Sequence, residues 1–227
     1  MMTAAIALSN IEKSYTHGQG TQRVLDGVDL TIHAGEAVSI MGPSGSGKSS
    51  IMNIMGLLDQ PDSGAYHFEG QLVSGLDDDA LASIRNRKIG FVFQSYFLLN
   101  RLKVWENVAL PLVYQGLEEA QRKERALEIL EQVAMSNWAH HYPNELSGGQ
   151  QQRTAIARAL VCGPSIVLAD EPTGALDSKT GHEILELFLS LNQDHHSTLV
   201  LITHDEAVAS RFKRCIKIED GKIKESV

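Results

Sequence analysis

The sequence predicts an α/β fold: a mostly parallel β-sheet with flanking helices, an N-terminal antiparallel β layer and an inserted α-helical subdomain. Three observations lead there. Three short, continuously apolar runs, Ala37–Met41 (AVSIM), Ile166–Ala169 (IVLA) and Thr198–Ile202 (TLVLI), have the composition of strands buried on both faces. Helical periods lie between them. The opening, residues 4–40, shows strand-like stretches split by the turn-rich THGQGTQ at 16–22, the pattern of an antiparallel layer.

In chain order, Ile51, Ile54, Met55 and Leu58 follow Lys48 at i, i+3, i+4, i+7 and predict a helix with one buried face, in which Met52 and Met55 are core. Asp77–Asp79 supply negative charge to a helix N-terminus. Ala126, Ile129, Leu130 and Val133 repeat the helical spacing within a charged stretch, as on a surface helix. A further helix runs from about Ser147 to Val161 and buries Ile156, Ala159 and Leu160. The last, from about Ser178 to Leu191, offers Ile184, Leu185, Leu187, Phe188 and Leu191. Residues 95–160 are mostly helical with no strong strand signal. The chain is therefore expected to be one domain, 1–227, with 1–94 and 161–227 forming the sheet core and 95–160 the helical lobe.

Composition bounds the function. Of 227 residues, 43% are hydrophobic and 21% charged, which excludes disordered and fibrous classes. The net charge of −8 argues against nucleic acid as the main partner. Cys162 and Cys215 lie far apart without CxxC spacing, so they read as small core residues, not a disulfide or zinc framework. No apolar run reaches the roughly 18 residues of a membrane span, and the N-terminus lacks a basic region and a long apolar core. The expectation is a soluble chain that reaches a membrane only through a partner.

The chemistry begins at Gly42, Pro43, Ser44, Gly45, Ser46, Gly47, Lys48 and Ser49, GPSGSGKS, with Ser50 following. This matches G-x-x-x-x-G-K-[ST], the P-loop of nucleoside triphosphatases, between a predicted strand and a predicted helix. A chance match is expected in about 1 in 100 chains this long, and the strand–loop–helix context favours the phosphate reading over a plain glycine turn. Glycines let successive backbone N–H groups wrap phosphates, and the helix dipole adds positive potential. Lys48 would reach the β- and γ-phosphates of ATP, and the Ser49 hydroxyl would ligate Mg²⁺. At Asp170–Glu171 a strand runs into two carboxylates. Asp170 would hold Mg²⁺ through water, and Glu171 could take a proton from the attacking water. Alternatively, Asp-Glu-Pro-Thr starts a loop and caps the next helix. At Leu146–Gln150 (LSGGQ), Ser147 and Gln150 form a capping box, yet capping does not require Gly148 and Gly149. Bare amides, a hydroxyl and a helix dipole also make a phosphate grip, and both readings can hold.

This combination resembles the nucleotide-binding subunit of ABC transporters over essentially the whole chain. The motif order matches: phosphate loop at 42–49, Gln94 in IGFVFQ, LSGGQ at 146–150, LADE at 168–171, GALD at 174–177 and His204 in LITHD. The resemblance implies two copies packed head to tail around two ATPs. Ser147 and Gly149 would contact a γ-phosphate held by the other copy's Lys48, and His204 would contact it in cis. Asp177 would link the two sites, Gln94 would approach Mg²⁺ and the attacking water, and Tyr15 would stack on adenine. Each has a plainer alternative: His204 as a structural histidine, Gln94 as a strand-end polar residue, Tyr15 as core filling. The His140–His141 and His195–His196 pairs lack ligand spacing.

Residues 94–116 and 169–181 are similar to the MacB/LolD-type exporter branch, which serves efflux and lipoprotein release, and FtsE-type divisome ATPases are close to it. Lys103 stands where those relatives more often have Thr. The implied partner is a separate integral membrane permease, since the sequence ends at Val227, and the implied location is peripheral, on the inner face of the cell membrane. An FtsE-like regulatory ATPase that transports nothing is the alternative. Tyr96, Phe97, Leu98 and Leu99, with Trp105 nearby, suggest a docking groove for a permease helix, burial within the lobe being the other possibility. A soluble non-transport ABC ATPase would bring long coiled coils or two cassettes, and a P-loop kinase would not explain LSGGQ.

Overall fold

Period-two alternation divides the interior into two cores on opposite faces of one sheet. In the computed structural model, which describes residues 3–18 and 20–226 without the side chains of His17, His195, Glu225 and Ser226, that sheet has six strands. They are β3 (Ala37–Met41), β6 (Ile89–Phe93), β7 (Ile166–Asp170), β8 (Thr198–Thr203), β9 (Arg214–Glu219) and β10 (Lys222–Ser226), in the order β10-β9-β3-β8-β7-β6. All neighbours are parallel except β9 and β10. Ile166 and Leu168 of β7, and Val200 and Ile202 of β8, enter one core; Val167, Ala169, Leu199 and Leu201 enter the other. Such strands read as continuous apolar runs because helices or a second sheet cover both faces.

The first core is closed by the antiparallel layer and one helix. β1 (Ala4–His17) and β2 (Gly20–His33) pair with β4 (Ser63–Phe68) and β5 (Gln71–Leu72) in the order β2-β1-β4-β5. The predicted turn includes Gln19, which lies outside the described residues, as do Met1 and Met2. Helix α1 (Lys48–Met55) buries Ile51, Met52, Ile54 and Met55 between this layer and the parallel sheet. Leu58 does not continue that face: the helix stops at Gly56, and Leu58 lies half exposed at 48%. Helix α2 (Asp78–Lys88) starts at Asp77, whose carboxylate accepts the Ala80 N–H at 2.8 Å, with Asp78 and Asp79 in its first turn.

The second core joins the other sheet face to helices α3 (Val104–Val113), α4 (Glu119–Gln132), α5 (Gly148–Leu160) and α6 (Ser178–His195). Two single-turn 3₁₀ helices, Ser136–Trp138 and Pro143–Glu145, connect α4 to α5, and α7 (Glu206–Ala209) follows β8. Ala126, Leu130 and Val133 are fully buried, as are Ile184, Leu185, Phe188 and Leu191, while Ile129 and Leu187 pack at the margin. Trp105 is buried in this core under the Lys123 ammonium, 5.6 Å from its ring, and so does not line a surface groove. Cys162 and Cys215 are free and only half-buried, less interior than their composition suggested, and burial pushes the Cys162 thiol up to about 11. Among the described residues no helix is long and apolar enough to cross a membrane.

Candidate functional site

Four chemistry-bearing positions meet at the carboxyl edge of the parallel sheet, because register puts four strand ends side by side. Met41 of β3 pairs with Thr203 of β8, Ile202 with Asp170 of β7, and Asp170 with Phe93 of β6. The residues that follow or end these strands are Gly42, His204, Asp170 and Gln94. Crevices outside the carboxyl ends of parallel strands are where open α/β sheets bind ligands.

The phosphate loop wraps between β3 and α1. Gly47 caps α1 with φ 105° and ψ 3°, and no side chain caps the helix, so its first N–H groups stay available. Only glycine fits there: the conformation is left-handed, and a β-carbon would lie 2.7 Å from the Val24 carbonyl oxygen. Lys48 folds back over the loop, its ammonium donating to the Gly42 and Pro43 carbonyls at 2.7 and 2.8 Å. The Ser46 hydroxyl is buried among the described residues without a hydrogen-bond partner, while Ser44, Gly45 and Ser49 are exposed.

Opposite the loop, Asp170 is partly buried. Burial and the adjacent Glu171 charge raise its pKa against the lowering effect of Lys48, so the site is short of positive charge. Ser49 and Asp170 offer oxygen atoms, the donor type that suits Mg²⁺. Among the described residues no group of three or more His, Cys, Asp or Glu could hold a metal ion. Glu171 occupies a left-handed conformation, φ 46°, and its N–H donates to the Ile202 carbonyl at 2.9 Å. A non-glycine residue there costs about 1 kcal/mol or more, and such strain gathers at functional sites. The turn aims the Glu171 carboxylate at His204, whose Nδ1 lies 2.6 Å from Oε1. Glu171 is 19% exposed and His204 74%, so the imidazole tip remains open to a ligand. The Gln94 amide packs over Gly174, and the Asp177 carboxylate caps α6 by accepting the Thr180 N–H at 3.0 Å.

The signature segment stands elsewhere. Ser147 and Gln150 form the expected reciprocal cap: the Gln150 side-chain oxygen accepts the Ser147 N–H at 2.9 Å, and Ser147 Oγ accepts the Gln150 N–H at 3.4 Å. Ser147 is exposed. The paired glycines have a further reason, packing: a β-carbon on Gly149 would lie 2.5 Å from Thr180 Cγ2, and one on Gly148 would press on Tyr96 and Leu176. Its helix, α5, lies against β6, three strand spacings from β3, or about 14 Å. Within the chain the start of α5 packs beside Tyr96, Leu176 and Thr180, not against the phosphate loop.

Three supports were missed in the sequence reading. Gln152 is fully buried and donates to the Pro172 carbonyl at 2.7 Å, tying α5 to the residue after Glu171. It sits one turn before Ile156, so a polar residue on the predicted buried face was the signal. Arg158 donates at 2.6 Å to the carbonyls of Tyr96 and Phe97, two successive residues with positive φ. Asp59 accepts the Tyr15 hydroxyl at 2.8 Å. No periodicity announces the last two.

A groove of 840 Å³ between α2, β6 and α3 is lined by Phe91, Phe93, Phe97, Pro111 and Tyr114, with Arg85 and Asn86 among its polar walls. Phe97 is 63% exposed and Leu99 38%, whereas Tyr96 and Leu98 are half-buried.

The chain is similar to known proteins along most of its length. The ABC transporter family model matches residues 25–174. The uncharacterized ABC transporter ATP-binding protein YknY of Bacillus subtilis is 53% identical over 96% of this chain and 94% of its own length. The macrolide export ATP-binding/permease protein MacB of Azoarcus is 51% identical over 97% of this chain, but the match spans only 34% of that relative. Among solved structures, a dimeric ATP-binding cassette in a post-hydrolysis state with ADP and Pi has 46% identity and a TM-score of 0.89, covering 98% of this chain and 97% of its own. The chain belongs to the ABC transporter family and is one of its ATP-binding, ATP-hydrolysing cassettes.

Proposed function

We propose that two copies of the chain pack head to tail and clasp two ATPs, each between one copy's phosphate loop and the other's signature helix, and that this cycle drives a membrane permease. One observation carries the reading: Ser147 is exposed at the start of α5, and the neighbours of Gly148 and Gly149 in their own chain are Tyr96, Leu176 and Thr180, with no phosphate-loop residue among them. An exposed helix start of this kind is available to complete a site on a second chain. The dimeric form of the cassette neighbour supports it.

In this scheme Lys48 releases the Gly42 and Pro43 carbonyls and turns to the β- and γ-phosphates, while loop N–H groups hold the phosphate oxygens. Ser44, Gly45, Ser46, Gly47, Ser49 and Ser50 line that cradle, and Tyr15 carries the adenine. Ser49, Asp170 and Gln94 would hold Mg²⁺, which would supply charge neutralisation at the phosphates. Glu171 takes the proton of the water that attacks the γ-phosphorus, the bond to the β–γ bridging oxygen breaks, and ADP and phosphate leave. His204 orients the Glu171 carboxylate and contacts the γ-phosphate. Ser147, Gly148, Gly149 and Gln150 of the other copy close the site, and Asp177 communicates between the two. Residues 95–160 act as the lobe that moves against the remaining core.

The permease reading rests on the apolar groove at Phe97 and on the MacB relatives, whose names join an ATP-binding part to a permease. The match over 94% of the Bacillus relative supports a permease on a separate polypeptide, with the cassette held at the inner membrane face. Export or lipoprotein release is the transport type closest to these relatives. Glu171→Gln tests the mechanism. It should lower turnover by about 10²–10⁴ while ATP binding persists, and leave an ATP-dependent dimer on size-exclusion chromatography. Normal turnover in that variant would remove Glu171 as the base.

A further inference from the structure

We propose that Asp59 is a positioning residue for the nucleotide base: it fixes the Tyr15 ring through the phenol hydroxyl and is itself held by Lys13. The inference rests on the stacking role given to Tyr15 above. Asp59 follows α1, the helix that the phosphate loop opens, and is anchored to it because the Leu58 and Asp59 N–H groups both donate to the Asn53 carbonyl, at 2.8 and 3.2 Å. From there one carboxylate oxygen accepts the Tyr15 hydroxyl at 2.8 Å and the other accepts the Lys13 ammonium at 2.7 Å.

Lys13 is a costly residue to place here. Among the described residues it is the one charged side chain in the buried set, at 9% exposure. Burying an ammonium is expensive unless it is paired and hydrogen-bonded. Its pairing is nearly complete: besides Asp59 it donates to the Gln60 carbonyl at 2.7 Å and lies 3.6 Å from Asp62. Asp62 in turn accepts the Ser14 N–H at 2.7 Å. The register of β1 against β2 shifts on both sides of Lys13, the mark of bulges that re-aim side chains. Residues 59–62 thus grip Lys13, Ser14 and Tyr15 in succession, and the Lys13 ammonium sits 5.3 Å from the Tyr15 ring centroid.

The consequence is a fixed span. A half-exposed tyrosine would otherwise sample several rotamers, and holding one in advance removes that ordering cost from binding. Because Asp59 is tied to α1, the ring is set relative to the helix whose first turn holds the phosphates. Base end and phosphate end of the nucleotide are then gauged by one element. Burial and the Asp59 acceptor also raise the Tyr15 hydroxyl's pKa, so it remains a donor. Burial opposes ionisation of Asp59, but the bonds from Lys13 and Tyr15 hold its carboxyl below the usual range.

Equilibrium binding of ATP and of inorganic tripolyphosphate to the full chain, both with Mg²⁺, separates a base effect from a cradle effect. Asp59→Ala should weaken ATP by about three- to tenfold and leave tripolyphosphate within about twofold. In a Tyr15→Phe background, Asp59→Ala should add no more than about twofold, since the hydroxyl it acts through is gone. Asp59→Asn, which keeps an acceptor, should restore ATP affinity to within about twofold of the native chain. Should Asp59→Ala fail to fold, Tyr15→Phe alone must show the same ATP-selective loss. Equal weakening of both ligands, or the full Asp59→Ala effect persisting in the Tyr15→Phe background, overturns the proposal. Tyr15→Ala marks which layer has failed. If it leaves the ATP-to-tripolyphosphate ratio unchanged, the stacking role is wrong; if it shifts the ratio and neither Asp59→Ala nor Tyr15→Phe does, only the role of Asp59 is wrong.

Discussion

The starts of α1 and α5 are both glycine- and serine-bearing helix N-termini, yet they are built for different tasks. At α1 no side chain caps the helix, Gly47 turns the chain through a left-handed step, and Lys48 waits on its own loop carbonyls. At α5 the end is already capped by Ser147 and Gln150, no basic residue sits in its first turn, and β-carbons in place of the glycines would press on Thr180 and Tyr96. The Ser147 cap bond, at 3.4 Å, is longer than a strong hydrogen bond and is easily exchanged for another acceptor. A helix end of this kind has modest pull on an anion by itself. It adds to a phosphate that a lysine elsewhere already holds, which is how a nucleotide can join two molecules weakly attracted without it.

The comparison breaks most decisively by mixing. Lys48→Ala and Ser147→Arg should each be inactive alone. In an equal mixture, half the dimers pair one of each and keep one intact composite site, so phosphate release should recover to about a quarter of the native rate. No recovery at any ratio would mean that cradle and signature serve the same chain. A smaller effect probes charge at the cradle. Because Asp170 has a raised pKa when folded, both states hold the proton at low pH, and the folded state loses stability relative to the unfolded one as pH rises from the ordinary carboxylate value to the raised one. Its contribution to stability falls as pH climbs out of the ordinary carboxylate range. Ligand-free Asp170→Asn should therefore melt above the native chain at neutral pH, converge with it in acid, and lose the stabilisation conferred by Mg·ATP. The smallest contrast concerns the two serines. Ser147→Ala removes a cap and should cost about 1 kcal/mol, a drop of about 2–4 °C in the melting temperature. Ser46→Ala removes a buried hydroxyl without a partner and should leave ligand-free stability unchanged or slightly higher. Calorimetry of both variants without nucleotide gives the sign directly.

Much of this was legible because it is local. The AVSIM, IVLA and TLVLI runs became β3, β7 and β8 since a strand buried on both faces has no polar side to disguise it. The phosphate loop and the capping box are encoded within eight and four residues. Other features were hidden. Leu58 continues the apolar spacing of α1 but falls beyond its end at Gly56, and Trp105 suited a groove by type while the fold buried it. Strands β9 and β10 carry alternating charge that gives little signal, although β9 lies beside β3 and Ile218 backs the phosphate loop. Arg158 reads as an ordinary helical arginine, yet it secures two left-handed residues far upstream in the chain.

By itself the sequence determined the elements and the chemical types at their ends: which strands are interior, which loop cradles phosphate, which carboxylates follow a strand. Only the tertiary structure decided which ends meet. Hydrogen-bond register aligned four strand termini on one edge, and packing set the start of α5 beside Tyr96, Leu176 and Thr180. Those placements arise from pairings between segments far apart in the chain, whose free energy depends on the whole packed sheet and is written in no single motif.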